Sequence, residues 1–158
     1  MNRIAVFLKN PYLHLLLRLF IGGMFTLSAV SKFPHHTEFV DIVKSYDLLP
    51  HALATAYANA LPWIEILVGV YLLLGVLIRP SAVVTILLGI SFMIANITSL
   101  VRGDQQCGRC FGDVITLPVG QALTIDIFLL IAAVVLLVAG GASMFTLGRL
   151  FPKLDEPV

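Results

Sequence analysis

The sequence contains 158 residues, of which 59% are hydrophobic and 12% are charged. Soluble domains carry about 25% charged residues, so this chain has too few charged side chains to cover a soluble protein of its size. Ten Lys and Arg residues against nine Asp and Glu residues leave a net charge of +1, which argues against nucleic-acid binding through a basic surface. The composition predicts an integral membrane protein in contact with lipid, and we expect one membrane domain over residues 1–158 because no repeat or linker is visible.

Four apolar runs are long enough to cross a bilayer, whose hydrocarbon core needs roughly 20 helical residues. They are continuous rather than alternating, which favours helices over a β-barrel. The first run is longer than the apolar part of a signal peptide and is interrupted by Arg18, so we interpret it as a retained helix. The predicted spans are residues 13–31, 54–78, 81–101 and 120–140.

The loop after the first span, residues 34–50, has apolar side chains at helical spacing, and acidic and basic residues on its other faces. This pattern predicts a short amphipathic helix at the membrane surface. The expected fold is therefore an all-α, four-helix membrane bundle with a short interfacial helix in its first outer loop.

Four charged residues lie within or at the ends of the spans: Lys32, Glu65, Arg102 and Asp126. Charged side chains in a bilayer are costly, so each is a candidate functional residue. With the N-terminus inside, all four fall in the outer half of the bundle. Two roles stay open, namely ion pairing that holds helices together, as between Lys32 and Glu65, and proton transfer by a buried carboxylate.

The chain has only two cysteines, Cys107 and Cys110, and they form a C-x-x-C motif between the third and fourth spans. Covalent haem attachment needs His after the second cysteine, where this chain has Phe111. A closed zinc or iron–sulfur site needs about four ligands, so no metal is expected, although a site shared across a dimer stays open. Dithiol–disulfide exchange fits better, because Arg102 and Arg109 supply the positive charge that favours a reactive thiolate. A structural disulfide is the remaining alternative.

The orientation depends on Lys and Arg residues near the ends of the spans. With both termini in the cytoplasm, the inner side carries five of them and the outer side four, and Arg18 could extend inward to add to the majority. A disulfide-cycling pair suits an oxidising compartment. We therefore expect a bacterial inner-membrane protein with the cysteine loop on the periplasmic side. The inner group is Arg3, Lys9, Arg79, Arg149 and Lys153, and the outer group is Lys32, Lys44, Arg102 and Arg109.

An ordered series of residues resembles the MauE-like branch of the DoxX-related membrane proteins. The series consists of Arg18, Gly22, residues 31–33, 46–50 and 61–65, Gly69, Gly75, residues 102–103 and residues 107–112. The resemblance implies a four-helix membrane protein associated with redox maturation outside the cytoplasm. The name-giving members support the making of methylamine dehydrogenase, whose maturation involves disulfide formation, and DoxX-like relatives are linked with quinone-coupled sulfur oxidation.

The main functional hypothesis is a thiol–disulfide oxidoreductase in which Cys107 and Cys110 exchange electrons with a thioredoxin-like partner outside the membrane. The electrons would pass to or from a membrane quinone, while Glu65 or Asp126 handles the protons. Similar quinone-coupled enzymes carry a second cysteine pair, which this chain lacks. The alternatives are a non-enzymatic membrane assembly factor for a periplasmic redox enzyme, and a transporter of a small solute or metal.

Overall fold

The computed structural model describes residues 10–103 and 118–139, and within these ranges every regular element is a helix. Four of the helices are long and apolar enough to cross a membrane, and a short fifth helix follows the first of them. The predicted all-α class, the four spans and the short helix in the first loop are thereby confirmed. The helices are α1 (Pro11–Lys32), α2 (His36–Ser45), α3 (His51–Leu74), α4 (Ile78–Arg102) and α5 (Val119–Ala139).

Local sequence signals set the helix ends. Asn10 accepts a hydrogen bond from the Tyr12 N–H at 3.1 Å through its side chain, and Pro11 occupies the first helical position. The second predicted span reached residue 78, but α3 ends at Leu74 because Gly75 adopts a φ of 71°. In this left-handed conformation the Gly75 N–H turns back to the carbonyl oxygens of Leu72 and Tyr71, which closes the helix.

The helices follow the order α1, α3, α4, α5 around the bundle, with the closest packing in the pairs α1–α3 and α4–α5. Glycines allow the first pair to approach closely. A Cβ atom on Gly69 would lie 2.5 Å from Thr26 Oγ1, and one on Gly22 would lie 2.9 Å from the Gly69 carbonyl oxygen. Such contacts between small residues are the usual basis of tight helix packing in membranes.

Helix α2 packs on α3, where His36 Nε2 and Asn59 Oδ1 are 2.9 Å apart. It lies at the end of the bundle where α4 ends at Arg102 and α5 begins at Val119. We call this the cysteine end, because the sequence that joins α4 to α5 carries Cys107 and Cys110.

The outer surface of the bundle is apolar on every long helix, with exposed side chains such as Leu16, Trp63, Leu87 and Ile131. A lipid environment makes this surface favourable, whereas polar side chains gain by turning inward. The interpretation of residues 1–158 as one membrane domain stays a prediction, because residues 1–9, 104–117 and 140–158 lie outside the described ranges.

Candidate functional site

Lys32 and Glu65 meet in the interior and, with Ser28, form what we call the lysine–glutamate cluster. Lys32 Nζ lies 2.5 Å from Glu65 Oε1, and both side chains are 0% exposed. Lys32 also donates a hydrogen bond to Ser28 Oγ at 2.8 Å, and Ser28 donates to the Glu65 carboxylate at 3.3 Å. Ser28 and Lys32 are neighbours on α1 because they are four residues apart. The predicted pairing of Lys32 with Glu65 is therefore present and links α1 to α3.

Two aromatic rings complete the surroundings of the Lys32 ammonium. The ring centroids of Phe39 on α2 and Phe92 on α4 each lie 5.2 Å from Lys32 Nζ. At this distance the face of an aromatic ring attracts a cation. The lysine–glutamate cluster thus joins four helices, although its charged atoms come from only two of them.

A second buried polar contact joins α4 to α5, and we call it the asparagine–aspartate pair. Asn96 Nδ2 donates a hydrogen bond of 2.7 Å to Asp126 Oδ2, and both side chains are buried. Ser99, three residues beyond Asn96 and on the same face of α4, is 1% exposed. Within residues 10–103 and 118–139, its Oγ is the one buried side-chain nitrogen or oxygen without a hydrogen-bond partner. The pair therefore lies in a polar strip of the α4–α5 interface.

The four charged residues expected near the cysteine loop do not share one set of contacts. Lys32 pairs with Glu65, but the partner of Asp126 is Asn96. Arg102 is exposed and donates a hydrogen bond of 2.9 Å to the Ser45 carbonyl oxygen at the end of α2. The four residues therefore take part in two separate buried contacts and one surface contact. Phe92, whose ring centroid is 5.2 Å from Lys32 Nζ, precedes Asn96 by about one turn of α4.

Arg18 has a role that differs from the predicted extension toward the inner surface. Its side chain is 2% exposed, and its Nε donates a hydrogen bond of 3.0 Å to the Leu72 carbonyl oxygen. Its Nη2 reaches the Leu73 carbonyl oxygen at 3.5 Å. Carbonyl groups at the end of a helix lack partners within the helix and carry partial negative charge, so Arg18 caps α3. The Arg18 charge is therefore held inside the bundle at the end of α3.

Sequence reasoning missed Ser28, Asn96 and Ser99 as parts of the interior. All three are polar residues inside otherwise apolar runs, which was the available signal. Uncharged polar side chains in membrane helices commonly form contacts between helices.

The remaining candidates, Cys107, Cys110 and Arg109, lie outside the described residues. Arg102 and Val119, which flank their segment, are both at the cysteine end. Among the residues that are described, no three His, Cys, Asp or Glu side chains lie close enough to hold a metal ion. Because both cysteines fall outside this set, the expectation that the protein binds no metal stays a prediction.

Comparison with known proteins finds one family that matches most of the chain. The profile of the family described as "Methylamine utilisation protein MauE" matches residues 10–141, which include all five helices and both cysteines. The chain belongs to the MauE family. The resemblance found in the sequence is thus confirmed, and the membrane bundle with its two buried polar contacts is the structure of a MauE family member.

Several relatives carry the name "Methylamine utilization protein MauE", including the following three. The protein of Paracoccus denitrificans is 33% identical over 139 residues, which cover 87% of this chain and 74% of the relative. The protein of Methylorubrum extorquens is 31% identical over 110 residues, covering 68% of this chain and 59% of the relative. The protein of Methylophilus methylotrophus is 29% identical over 102 residues, covering 63% and 54% respectively. No solved structure matches the chain.

Proposed function

We propose that this protein is a membrane-embedded maturation factor for a redox enzyme outside the cytoplasm, and that it works by thiol–disulfide exchange at Cys107 and Cys110. The observation that carries the proposal is the position of these two residues, the only cysteines of the chain. They lie in a C-x-x-C motif between α4 and α5, within the region matched by the MauE family. Because the relatives are named for methylamine utilisation, we extend a role in that process, or in the maturation of a similar enzyme, to this chain.

The proposed exchange has two balanced steps. A thiolate of a thioredoxin-like partner attacks the Cys107–Cys110 disulfide at Cys107, which forms a mixed disulfide and releases the Cys110 thiolate. The second thiolate of the partner then attacks the mixed disulfide, so the partner leaves oxidised and the membrane protein keeps two thiols. A quinone restores the disulfide by taking up two electrons and two protons and leaving as the quinol.

The positions of the two buried polar contacts support this proposal. The lysine–glutamate cluster joins α1 to α3, and the asparagine–aspartate pair joins α4 to α5 close to the ends that flank the cysteine segment. These contacts hold the helices together, and we propose that they thereby fix the two helix ends from which the cysteine segment extends toward a partner. Glu65 and Asp126 are the buried carboxylates of the described ranges, and we assign them as candidates for moving the two protons.

The proposed topology has both termini in the cytoplasm and the cysteine end facing the periplasm. A maleimide that cannot cross the membrane should label reduced Cys107 and Cys110 in intact cells. Arg79→Cys in a variant without the native cysteines is the matched control, because Arg79 is exposed at the opposite end of the bundle. It should react only after the membrane is made permeable, and the reverse pattern would invert the topology.

The exchange itself is tested by trapping the mixed disulfide. Cys110→Ser should accumulate a covalent complex between Cys107 and the partner, which disappears on reduction. Cys107→Ser is the matched control and should give no such complex if Cys107 is the attacked sulfur. Absence of a complex from both variants, together with normal oxidation of the partner in cells, would contradict the proposal.

Family membership also favours a second candidate, a non-enzymatic assembly factor that holds an enzyme or a maturation protein at the membrane. The double variant Cys107→Ser/Cys110→Ser separates the two, because a scaffold would retain full maturation of its client without either thiol. A transporter would instead show cysteine-dependent uptake of metal or solute with no change in the redox state of any partner.

A further inference from the structure

A cavity of about 100 Å³ lies between α2, α3 and α4 near the cysteine end. Its wall is largely apolar and aromatic, and every one of these three helices contributes to it. The principal lining side chains are Phe39, Ile42, Val43, Tyr57, Leu61 and Phe92. The cavity is distinct from the lysine–glutamate cluster and from the asparagine–aspartate pair, although Phe39 and Phe92 border both the cavity and the Lys32 ammonium.

The lining of the cavity suits a six-membered ring, and the open edge lets the ring substituents extend beyond the enclosed volume. An apolar protein cavity of about 150 Å³ lined by Leu, Ile and Phe holds benzene, and this cavity is somewhat smaller with an open edge. Leu48 and Leu49 form that edge, and they are 48% and 42% exposed. A planar ring can therefore enter between aromatic walls, while an apolar tail leaves past the two leucines toward lipid.

Tyr57 and Ser91 bring two hydroxyl groups together in the otherwise largely apolar wall. Tyr57 Oη and Ser91 Oγ, both on the lining, are 2.7 Å apart and share a hydrogen bond. A ligand carbonyl oxygen can accept from a hydroxyl of this pair, which would fix the orientation of a ring. A few placed polar groups in an apolar pocket are typical of small-molecule sites.

The ion pair of Lys32 and Glu65 lies behind the aromatic part of the wall. Lys32 Nζ is 5.2 Å from the centroids of both Phe39 and Phe92. Glu65 balances the ammonium charge, so the pair adds no net charge beside the cavity, and the apolar lining with its hydroxyl groups is what would select a ligand.

We propose that this cavity binds the ring of a quinone, with a ring carbonyl at the Tyr57–Ser91 hydroxyl pair and the isoprenoid tail passing Leu48 and Leu49. The role of the quinone as electron acceptor rests on the proposed function, whereas the binding of the quinone ring to the cavity does not. In that role the quinone takes two electrons and two protons from the thiols of Cys107 and Cys110, which leaves a disulfide and the quinol.

The first test fills the cavity. The full-length protein in detergent is titrated with ubiquinone-1, a quinone with one isoprene unit, by calorimetry. Ala95 lines the cavity and Ala60 is exposed on α3, so Ala95→Leu and Ala60→Leu add the same group inside and outside it. We expect Ala95→Leu to weaken binding by about tenfold or more and Ala60→Leu to leave it unchanged. Equal dissociation constants, or no saturable binding by the unaltered protein, would overturn the proposal.

The second test removes a hydroxyl without changing the volume, and it applies even if Ala95→Leu does not fold. Tyr57→Phe should weaken ubiquinone-1 binding by about two- to tenfold, the value of one hydrogen bond. Tyr71→Phe is the matched control, because Tyr71 is on α3 and is not part of the cavity lining. Geraniol, an isoprenoid without the ring, should not compete. If geraniol competes as strongly as ubiquinone-1, the cavity binds isoprenoid chains and not the quinone ring, which would overturn the proposal.

The two proposals fail in different ways. If the cavity binds quinone but the cysteines have no role, Cys107→Ser/Cys110→Ser retains ubiquinone-1 binding and maturation is normal. If the cysteines exchange disulfides but the cavity is not the quinone site, the trapped complex forms with Cys110→Ser while Ala95→Leu binds ubiquinone-1 as tightly as the unaltered protein.

Discussion

Replacing Glu65 with Gln removes one charge of the lysine–glutamate cluster and leaves the Lys32 ammonium buried. The pair has a separation of 2.5 Å, and neither side chain has any exposed surface. Ser28 Oγ and two phenylalanine rings would remain as neighbours of the ammonium, but none of them carries a negative charge. We therefore expect Glu65→Gln to be among the most destabilising single substitutions in the protein.

The expected magnitude follows from the burial. Removing one partner of a buried ion pair costs about 3–5 kcal/mol, because the remaining charge is left uncompensated. For a protein of this length, that loss corresponds to a decrease in Tm of about 6–20 °C. The exposed pair between Lys44 and Asp41 is the internal comparison, with a separation of 3.5 Å and Asp41 78% exposed. Exposed pairs of this kind contribute at most about 1 kcal/mol, so Asp41→Asn should lower Tm only slightly.

The assay is thermal unfolding of the purified protein in detergent, followed by circular dichroism and by loss of the monodisperse peak in gel filtration. The double variant Lys32→Met/Glu65→Gln carries neither charge. It should recover most of the stability lost in Glu65→Gln, because a buried pair replaced by uncharged groups is often close to neutral. A decrease for Glu65→Gln no larger than that for Asp41→Asn would refute the reasoning.

The same double variant also separates the two roles that the sequence left open for this pair. If the pair only holds α1 to α3, recovered stability should come with recovered maturation of the client enzyme. If Glu65 also moves protons, the double variant should be stable and yet inactive.

Five further substitutions test the other contacts between helices, each by the change in Tm. Gly69→Leu should prevent folding because its side chain would collide with α1, whereas Gly23→Ala should be neutral or slightly stabilising because nothing lies within 4 Å of the added Cβ atom. Arg18→Met should lower stability by about 1–3 kcal/mol and increase hydrogen exchange at the end of α3, because two carbonyl groups lose their donor; unchanged exchange there would contradict the capping role. Asn96→Leu should be more destabilising than Asp126→Asn, since only the first leaves a buried carboxylate without the amide that donates to it.

The number and type of the spanning helices were predictable from sequence, and their ends were partly so. Bilayer thickness requires about 20 apolar residues for each helix, and this requirement acts on composition without regard to packing. The apolar run of the second span continues past Leu74, however, so hydropathy alone predicts a longer helix. It contains no information on the left-handed conformation of Gly75, which ends α3. A glycine followed by Arg79 and Pro80 was the available signal for an earlier end.

The polar partners were less predictable. The pairing of Lys32 with Glu65 could be named from sequence because each is a lone charge of opposite sign. The partner of Asp126 could not, since Asn96 is uncharged and 30 residues away. The sequence favoured an Arg18 side chain that extends to the membrane surface, because nothing in it shows that the end of α3 lies beside Arg18.

The sequence by itself thus determined that the chain lies in a membrane, crosses it four times as helices, and joins its two cysteines to one end of the bundle. Only the tertiary structure decided that Asn96 faces Asp126, that Arg18 caps α3, and that a cavity lies between α2, α3 and α4. The physical reason is that helices in lipid are apolar on their outer faces as well as on their inner ones. Hydrophobic periodicity then gives little information about how each helix is rotated, and that rotation is set by close contacts such as the one between Gly22 and Gly69.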